Sequence, residues 1–151
     1  MTIQPTSAAL AAPYLSRRDV RIISAHIFVS FLAFGIGILA GLAQALDRVM
    51  PARSTLWTQF PLQESYYQGL TAHGVVLGLV FTFAFANGFL TLVMSRSVGR
   101  RPVPALHLGS LVLLVVGALM AAWQILANNA SVLYTMYPPL QATWIYYAGL
   151  V

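Results

Sequence analysis

Among the side chains of this sequence, histidine is the best suited to chemistry. His73 is the histidine whose position most strongly indicates a functional role. His73 lies in the uncharged run from Ser65 to Ser95, which is long enough to cross a bilayer. An imidazole is costly to keep among lipid tails, so one in a spanning helix normally faces the protein interior. It serves there as a metal ligand, a proton relay or a buried hydrogen-bond donor. The alternative is a packing histidine that a neighbouring helix satisfies.

The composition indicates an integral membrane protein. Hydrophobic residues make up 59% of the chain and charged residues 7%, with a mean hydropathy of +0.78, whereas a soluble domain carries about 25% charged residues. The net charge of +5 comes from arginine. Since these arginines stand between apolar runs, they are expected to orient the spans, and no nucleic-acid partner is predicted. The chain has no cysteine, which excludes disulfides, thiolate metal sites and a cysteine nucleophile.

The apolar runs predict an all-α fold, a polytopic bundle of transmembrane helices. The runs are continuous rather than alternating, which argues against strands. Three of them predict full spans, over residues 22–46, 67–94 and 105–127. A fourth helix is expected to start at 144, and it reaches Val151 without the roughly 20 residues of a crossing. The chain is therefore expected to be a fragment of a longer product rather than a split subunit, with a mobile tail over residues 1–15 and the membrane part over 16–151.

The start and the orientation of the first helix follow from polar residues. Ser16 as N-cap with Asp19 three residues later forms a capping box. Arginine is more frequent before the first span and between the second and third than between the first and second, so the N-terminus is expected in the cytoplasm. His73 then lies in the outer half of the membrane, roughly 9 Å of helix beyond Tyr67 in the aromatic belt.

Small residues mark the helix faces that are expected to pack closely, and they repeat at a spacing of four: Gly37 with Gly41, Gly74 with Gly78, and Gly117 with Ala121. Gly69 precedes His73 by one turn on the same face. The surface beside the imidazole is therefore expected to be bare, and it could admit a flat ligand such as a porphyrin.

The other two histidines are assigned no role. His26 and His107 each lie within a turn or two of a cytoplasmic helix start, where an imidazole is expected to reach interfacial water. There is no Asp or Glu between Glu64 and Val151, and an arginine cannot relay protons by titrating. No acid-gated proton uptake is therefore expected in this part of the protein. His107 is not expected to replace it, because no polar chain leads inward from it.

Two motifs resemble parts of subunit I of the heme-copper respiratory oxidases. The segment Tyr66–Gly74 reads Tyr-Tyr-Gln-Gly-Leu-Thr-Ala-His-Gly and is similar to the second transmembrane helix of that family. The segment Tyr134–Leu140 reads Tyr-Thr-Met-Tyr-Pro-Pro-Leu and is similar to the chain that follows the third helix. With an Ala-Leu pair after Gln44 and three spans in matching places, the resemblance covers essentially the whole chain from the first span onward. Both motifs are most similar to the B-type branch.

The resemblance implies the catalytic subunit of a terminal oxidase, which passes electrons through a low-spin heme to oxygen reduction in aerobic respiration. It implies that His73 is an axial ligand of the low-spin heme iron, that Gly69 lies beneath the porphyrin edge, and that Tyr134 and Tyr137 face the heme region. The second axial ligand and the ligands of the high-spin heme and copper belong to later helices, so this chain alone is not a complete catalyst. The implied partners are the rest of subunit I, subunit II, cytochrome c or a similar donor, and lipid of the inner cell membrane.

Two other functions remain open from the residues themselves. One is a self-standing heme-binding membrane module, in which His73 residues from two copies would supply both axial ligands. The other is a non-redox transport or assembly subunit, in which His73 would be a relay or a packing residue.

Overall fold

A computed structural model describes residues 15–49 and 66–151 of the chain. The described residues form five α-helices and one π-helical segment: α1 (Arg17–Val49), α2 (Tyr66–Val75), the π segment (Val76–Phe81), α3 (Thr82–Val98), α4 (Pro104–Leu126) and α5 (Trp144–Leu150). The β pairing within these two ranges is limited to one isolated bridge between Ala130 and Ala142. The predicted all-α class is therefore confirmed. The predicted tail up to residue 14 and the connection over 50–65 lie outside the described residues.

Three helices are long and apolar enough to cross a membrane, as the sequence predicts. They are Arg17–Leu46, Tyr66–Val98 and Pro104–Leu126, the second being α2, the π segment and α3 in one continuous piece. Large apolar side chains cover their outer surfaces, as Phe28 and Leu113 do with 69% and 74% exposure. Such a surface is stable against lipid, where every backbone group is satisfied within its own helix.

The ends of the helices follow local chemistry. The Ser16 backbone N–H donates to Asp19 Oδ2 at 2.9 Å, and the Asp19 N–H donates to Ser16 Oγ at 3.2 Å. This reciprocal pair confirms the predicted capping box. Gly99 ends α3 with a φ of 66°, a backbone conformation that glycine adopts without strain. Pro104 opens α4 at a position where no N–H is needed.

The small residues lie where helices approach most closely. A side chain on Gly37 would overlap Leu77 of the π segment, and one on Gly117 of α4 would overlap the Gly149 backbone of α5. Ala121 is 1% exposed at the same α4–α5 contact. The predicted close packing is therefore observed for Gly37 with Gly41 and for Gly117 with Ala121, where it draws α1 against the second span and α5 against α4. Gly74 and Gly78 face Tyr134 instead of another helix.

The chain between α4 and α5 folds into a compact loop, called here the 127–143 loop. The Ser131 N–H donates to the Gln141 carbonyl at 3.1 Å, and the Thr143 N–H donates to the Asn129 carbonyl at 3.2 Å. The loop helps to bury one apolar cluster with the adjoining helices, formed by Val75, Ala121, Ile125, Ala130, Val132 and Tyr146. This cluster anchors α2 against α4 and α5, and α2 carries His73.

Candidate functional site

His73 lies in the last turn of α2 with its imidazole directed at α1. Its Nδ1 is 2.8 Å from the carbonyl oxygen of Gly37. Because a carbonyl oxygen only accepts, Nδ1 must carry the proton in this contact. The neutral ring then has its lone pair on Nε2, for which the described residues provide no hydrogen-bond partner. A histidine held through one nitrogen with the other free has the arrangement of a metal ligand.

Gly41 of α1 leaves the space that the His73 imidazole occupies. A Cβ atom on Gly41 would lie 2.6 Å from His73 Cε1 and 2.7 Å from His73 Nδ1. Contacts of that length are repulsive, so the ring packs against bare backbone. Gly37 and Gly41 thus act together, since one supplies the acceptor for Nδ1 and the other the space beside the ring.

A change of helix type follows one turn beyond His73. The π segment spans Val76–Phe81, and the Thr82 hydroxyl donates to the Leu77 carbonyl at 3.1 Å, five residues back. A π turn changes the register between the helix faces on its two sides, and such turns are frequent at functional sites. Propensity gives no sign of it in the sequence, because the segment consists of ordinary apolar residues.

Tyr134 packs on α2 at Gly74, the residue that follows His73 in the chain. A Cβ on Gly74 would lie 2.7 Å from Tyr134 Cδ1, so the ring rests on the bare backbone of that glycine. The Leu133 N–H donates to Thr71 Oγ1 at 3.0 Å, which ties the 127–143 loop to α2. Tyr134 remains 57% exposed. One of its faces is therefore covered and the other is open to a ligand or lipid.

The loop end of the bundle is further held by buried polar contacts. Gln68 Nε2 donates to the Ile125 carbonyl at 2.6 Å, and the Thr143 hydroxyl donates to Gln124 Oε1 at 2.7 Å. Buried polar groups are most costly when unpaired, so these contacts specify one arrangement of α2, α4 and the loop.

Two predicted site residues do not meet the imidazole in this arrangement. Gly69 is buried by the protein itself, so the bare face expected beside His73 is covered there. Tyr137 is 71% exposed on the 127–143 loop. Their contact with a heme stays a prediction.

His26 and His107 are not the water-facing residues that the sequence suggested. His26 is 0% and His107 7% exposed, and their rings stack with centroids 4.6 Å apart at an interplanar angle of 11°. Asp19 accompanies them at 0% exposure and is paired with Arg101 at 2.9 Å. α1 therefore supplies polar groups beside His107 that α4 lacks, and the expected access of these two rings to interfacial water is not observed. A spacing of seven between Asp19 and His26 places both on one helix face and could have revealed the cluster.

The described residues fit one axial position of a heme rather than a complete metal site. No three His, Asp or Glu residues of the described ranges converge as a metal-binding group. His73 offers a neutral imidazole whose Nε2 lone pair is free. Gln44, one turn beyond Gly41 on α1, is 6% exposed, and neither polar atom of its amide has a hydrogen-bond partner among the described residues. A polar group from outside those residues would satisfy that amide.

Comparison with known proteins identifies the relatives of this chain. The family described as "Cytochrome C and Quinol oxidase polypeptide I" matches residues 21–151. Cytochrome c oxidase subunit 1 of Thermus thermophilus is 41% identical over 122 residues, which are 80% of this chain and 22% of that protein. A heme-copper terminal oxidase dimer solved by cryo-EM superposes with a TM-score of 0.79 at 36% identity, over 90% of this chain and 23% of that one. The chain thus spans between a fifth and a quarter of the length of these relatives.

Proposed function

Because the chain belongs to the cytochrome c and quinol oxidase polypeptide I family, we propose that it forms part of the catalytic subunit of a terminal oxidase and that His73 is an axial ligand of its low-spin heme. The supporting observation is the hydrogen bond from His73 Nδ1 to the Gly37 carbonyl at 2.8 Å. It fixes the tautomer and leaves Nε2 as the ligating atom. Oxygen reduction is proposed for the complete oxidase, of which this chain is one portion.

The residues of this chain prepare the ligand before any heme is bound. A bound heme supplies an iron that changes oxidation state and passes electrons onward. The Gly37 carbonyl holds the proton on Nδ1, which makes Nε2 more basic and keeps the ring from turning. Gly41 leaves the space that the ring needs beside α1. Because the His73 ring is already held in one orientation and one tautomer, less conformational entropy is lost when it ligates iron.

Tyr134, Tyr137 and Gly69 are proposed to line the heme region. The support is strongest for Tyr134, whose ring rests on Gly74, the residue after His73, while its other face is open. Tyr137 is exposed on the same loop. We propose that it faces the heme region once the later helices of the subunit are in place. Gly69 is covered by protein, so a porphyrin edge reaches it only if the covering residues shift.

The wider assignments rest on the family and on the motifs. We place the protein in the B-type branch because of the form of Tyr66–Gly74 and Tyr134–Leu140. The remaining helices of subunit I would supply the second axial ligand, the high-spin heme ligands and the copper ligands. Subunit II and cytochrome c, or a similar donor, are the proposed partners, and the inner cell membrane is the proposed location.

An optical spectrum of the complete membrane protein tests the assignment. The reduced-minus-oxidised spectrum should contain the α band of a low-spin heme with two imidazole ligands. A spectrum without any heme band would favour a transport or assembly subunit. A band that depends on dimerisation of this chain alone would favour a self-standing heme module with paired His73 residues. Either of these results would refute the oxidase assignment.

The orientation is tested separately. We propose that the N-terminus and the Arg96–Pro104 connection face the cytoplasm, because the arginines concentrate there. Reporter fusions after Val98 and after Gln59 should show opposite activities. Cytoplasmic activity at both positions would contradict the orientation and the proposed helix count.

A further inference from the structure

A buried polar cluster lies at the other end of the bundle from His73, and the oxidase assignment makes no use of it. At its centre are the stacked rings of His26 on α1 and His107 on α4, called here the imidazole pair. Ser110 of α4 lies beside the pair, and Gly88 of α3 leaves room for it, since a Cβ there would lie 3.0 Å from His26 Cβ. Three elements therefore close around two ionisable rings.

His26 has an acceptor at one nitrogen and a reversible partner at the other. Its Nδ1 is 3.0 Å from the Ile22 carbonyl, which can only accept, so Nδ1 carries a proton. Its Nε2 is 3.4 Å from the Ser110 hydroxyl. That hydroxyl also lies 2.9 Å from the His107 carbonyl, to which it can donate. When the hydroxyl donates to the carbonyl, its oxygen is free to accept a proton-bearing Nε2. When it turns, it donates to a bare Nε2.

The Ser110 hydroxyl therefore satisfies His26 in two protonation states. The neutral ring accepts the hydroxyl proton at Nε2, and the cationic ring donates to the hydroxyl oxygen while the hydroxyl proton goes to the His107 carbonyl. A ring bound in this way changes its charge without losing a hydrogen bond. His73 lacks this property, because only one of its nitrogens has a partner among the described residues.

The second ring, that of His107, differs from His26 in its hydrogen bonds. Both of its ring nitrogens are enclosed and have no partner among the described residues, and Asp19 Oδ1 is in the same condition nearby. Buried polar atoms of native proteins nearly always have a partner, and ordered water supplies it where the protein does not. Water at these three atoms would connect the pair to the arginine-rich end of the bundle.

The charges around the pair favour one added proton rather than two. Asp19 and Arg101 form an ion pair at 2.9 Å and neutralise one another. The other arginines of this end are exposed: Arg17, Arg18, Arg21, Arg96 and Arg100. Among the described residues, α3 adds no acidic side chain to balance further charge. Two imidazolium rings stacked at 4.6 Å would repel each other, whereas one cation and one neutral ring are compatible.

We propose that the imidazole pair is a buried, hydrated proton-binding site that takes up one proton for its two rings. A water-borne proton forms an N–H bond with the lone pair of His26 Nε2, the delivering hydronium leaves as water, and the Ser110 hydroxyl turns to the His107 carbonyl. The site ends there, because the polar face of α1 stops at Ser30 and is followed by Ala33 and Gly37. It is therefore a site that senses protons at this face rather than a route to the heme.

Ring-nitrogen NMR of the complete protein in lipid bilayers tests this site. Histidine is labelled with ¹⁵N, and the signals of the pair are assigned by their loss in His26→Asn and in His107→Phe. Between about pH 8 and about pH 5, one ring should change from the neutral to the doubly protonated form, with one proton taken up in total. In His107→Phe the remaining ring should still take up one proton, because His26 keeps the Ile22 carbonyl and the Ser110 hydroxyl as partners.

Ser30→Ala is the matched control. Ser30 lies one turn from His26 on α1, is fully buried and donates to the Ile27 carbonyl at 2.7 Å rather than to either ring. Its loss should leave the titration of the pair unchanged. The proposal is overturned if neither ring of the unmodified protein changes its protonation, or if both rings take up a proton. Failure of His26 to take up a proton in a folded His107→Phe variant would also overturn it. The proton count of the unmodified protein decides the question even if a variant does not fold.

Discussion

The His73 site and the imidazole pair are two histidine environments on the same helix α1 that differ in what their hydrogen bonds permit. The distance along α1 between His26 and Gly41 is fifteen residues, or about 22 Å of helix. At the His73 end, a backbone carbonyl fixes one nitrogen, and the other has no partner among the described residues. At the other end, His26 has a partner at both nitrogens, and one of those partners can reverse its bond.

The difference shows how a helical bundle prepares imidazole for two tasks. A backbone acceptor cannot change its role, so it holds one tautomer and presents a permanent lone pair, as metal ligation requires. A hydroxyl both donates and accepts, so it allows a ring to gain or lose a proton, as proton binding requires. A glycine lies close to each histidine: Gly41 leaves space for the ring of His73, and Gly88 leaves space for the Cβ of His26.

Filling the space at Gly41 should have the largest effect, and it should act on the His73 site alone. In Gly41→Val the new side chain would occupy the place of the imidazole, 2.6 Å from Cε1. Overpacking of this kind costs about 1–3 kcal/mol in the free energy of unfolding, and the low-spin heme content should fall severalfold. Heme-to-protein ratio and unfolding in detergent measure both effects.

Gly35→Val is the control for that substitution, because a Cβ at Gly35 of the same helix would meet nothing within 4 Å. Its heme content and stability should equal those of the unmodified protein. If the two variants lost heme equally, the steric role of Gly41 would be wrong.

Removal of Asp19 should have the next largest effect, and it should act on the imidazole-pair end. Asp19 Oδ2 accepts from the Ser16 N–H, from the Ser16 hydroxyl and from Arg101 Nε. Asp19→Ala removes the Asp19 half of the capping box together with the ion pair to Arg101, so the free energy of unfolding should fall by about 2 kcal/mol. Arg100→Ala, on an exposed neighbour, should change it little. Equal stability of the two variants in a denaturant titration would contradict this account of the α1 end.

A smaller effect is expected where the 127–143 loop meets α2. Thr71→Val deprives the Leu133 N–H of its acceptor, which costs about 1 kcal/mol. Hydrogen exchange at the Leu133 amide should accelerate, while the low-spin heme should remain bound. Thr82→Val removes a hydroxyl that serves only the Leu77 carbonyl, and it should leave exchange in the loop unchanged. Slow exchange at Leu133 in both variants would show that other contacts hold the loop.

The smallest effect is expected for turnover in His107→Phe. The polar face of α1 ends at Ser30, and the residues that continue inward along α4 from Ser110 are apolar. Oxygen consumption and proton uptake of the complete oxidase should therefore stay nearly unchanged. A severe loss of proton uptake with the hemes still bound would make the imidazole pair part of an uptake route.

The sequence predicts the elements of this fold better than the contacts between them. Continuous apolar runs predict the three spans, and the capping box predicts the start of α1, because both depend on neighbours in the chain. The Gly37 carbonyl as partner of His73 could not be predicted, since the two residues are 36 positions apart. Every residue has a backbone carbonyl, so the sequence does not indicate which one His73 will contact. The same reason hid the Asp19–Arg101 pair and the stacking of His26 on His107.

The reduced-minus-oxidised spectrum of His73→Ala, compared with that of His107→Phe, tests whether His73 ligates the low-spin heme. Both variants remove one histidine from the membrane part of the complete oxidase, but only His73 has a free Nε2 held ready by a backbone carbonyl. His73→Ala should lose the low-spin heme band, and His107→Phe should keep it in full. An intact low-spin band in His73→Ala would show that another residue ligates the iron.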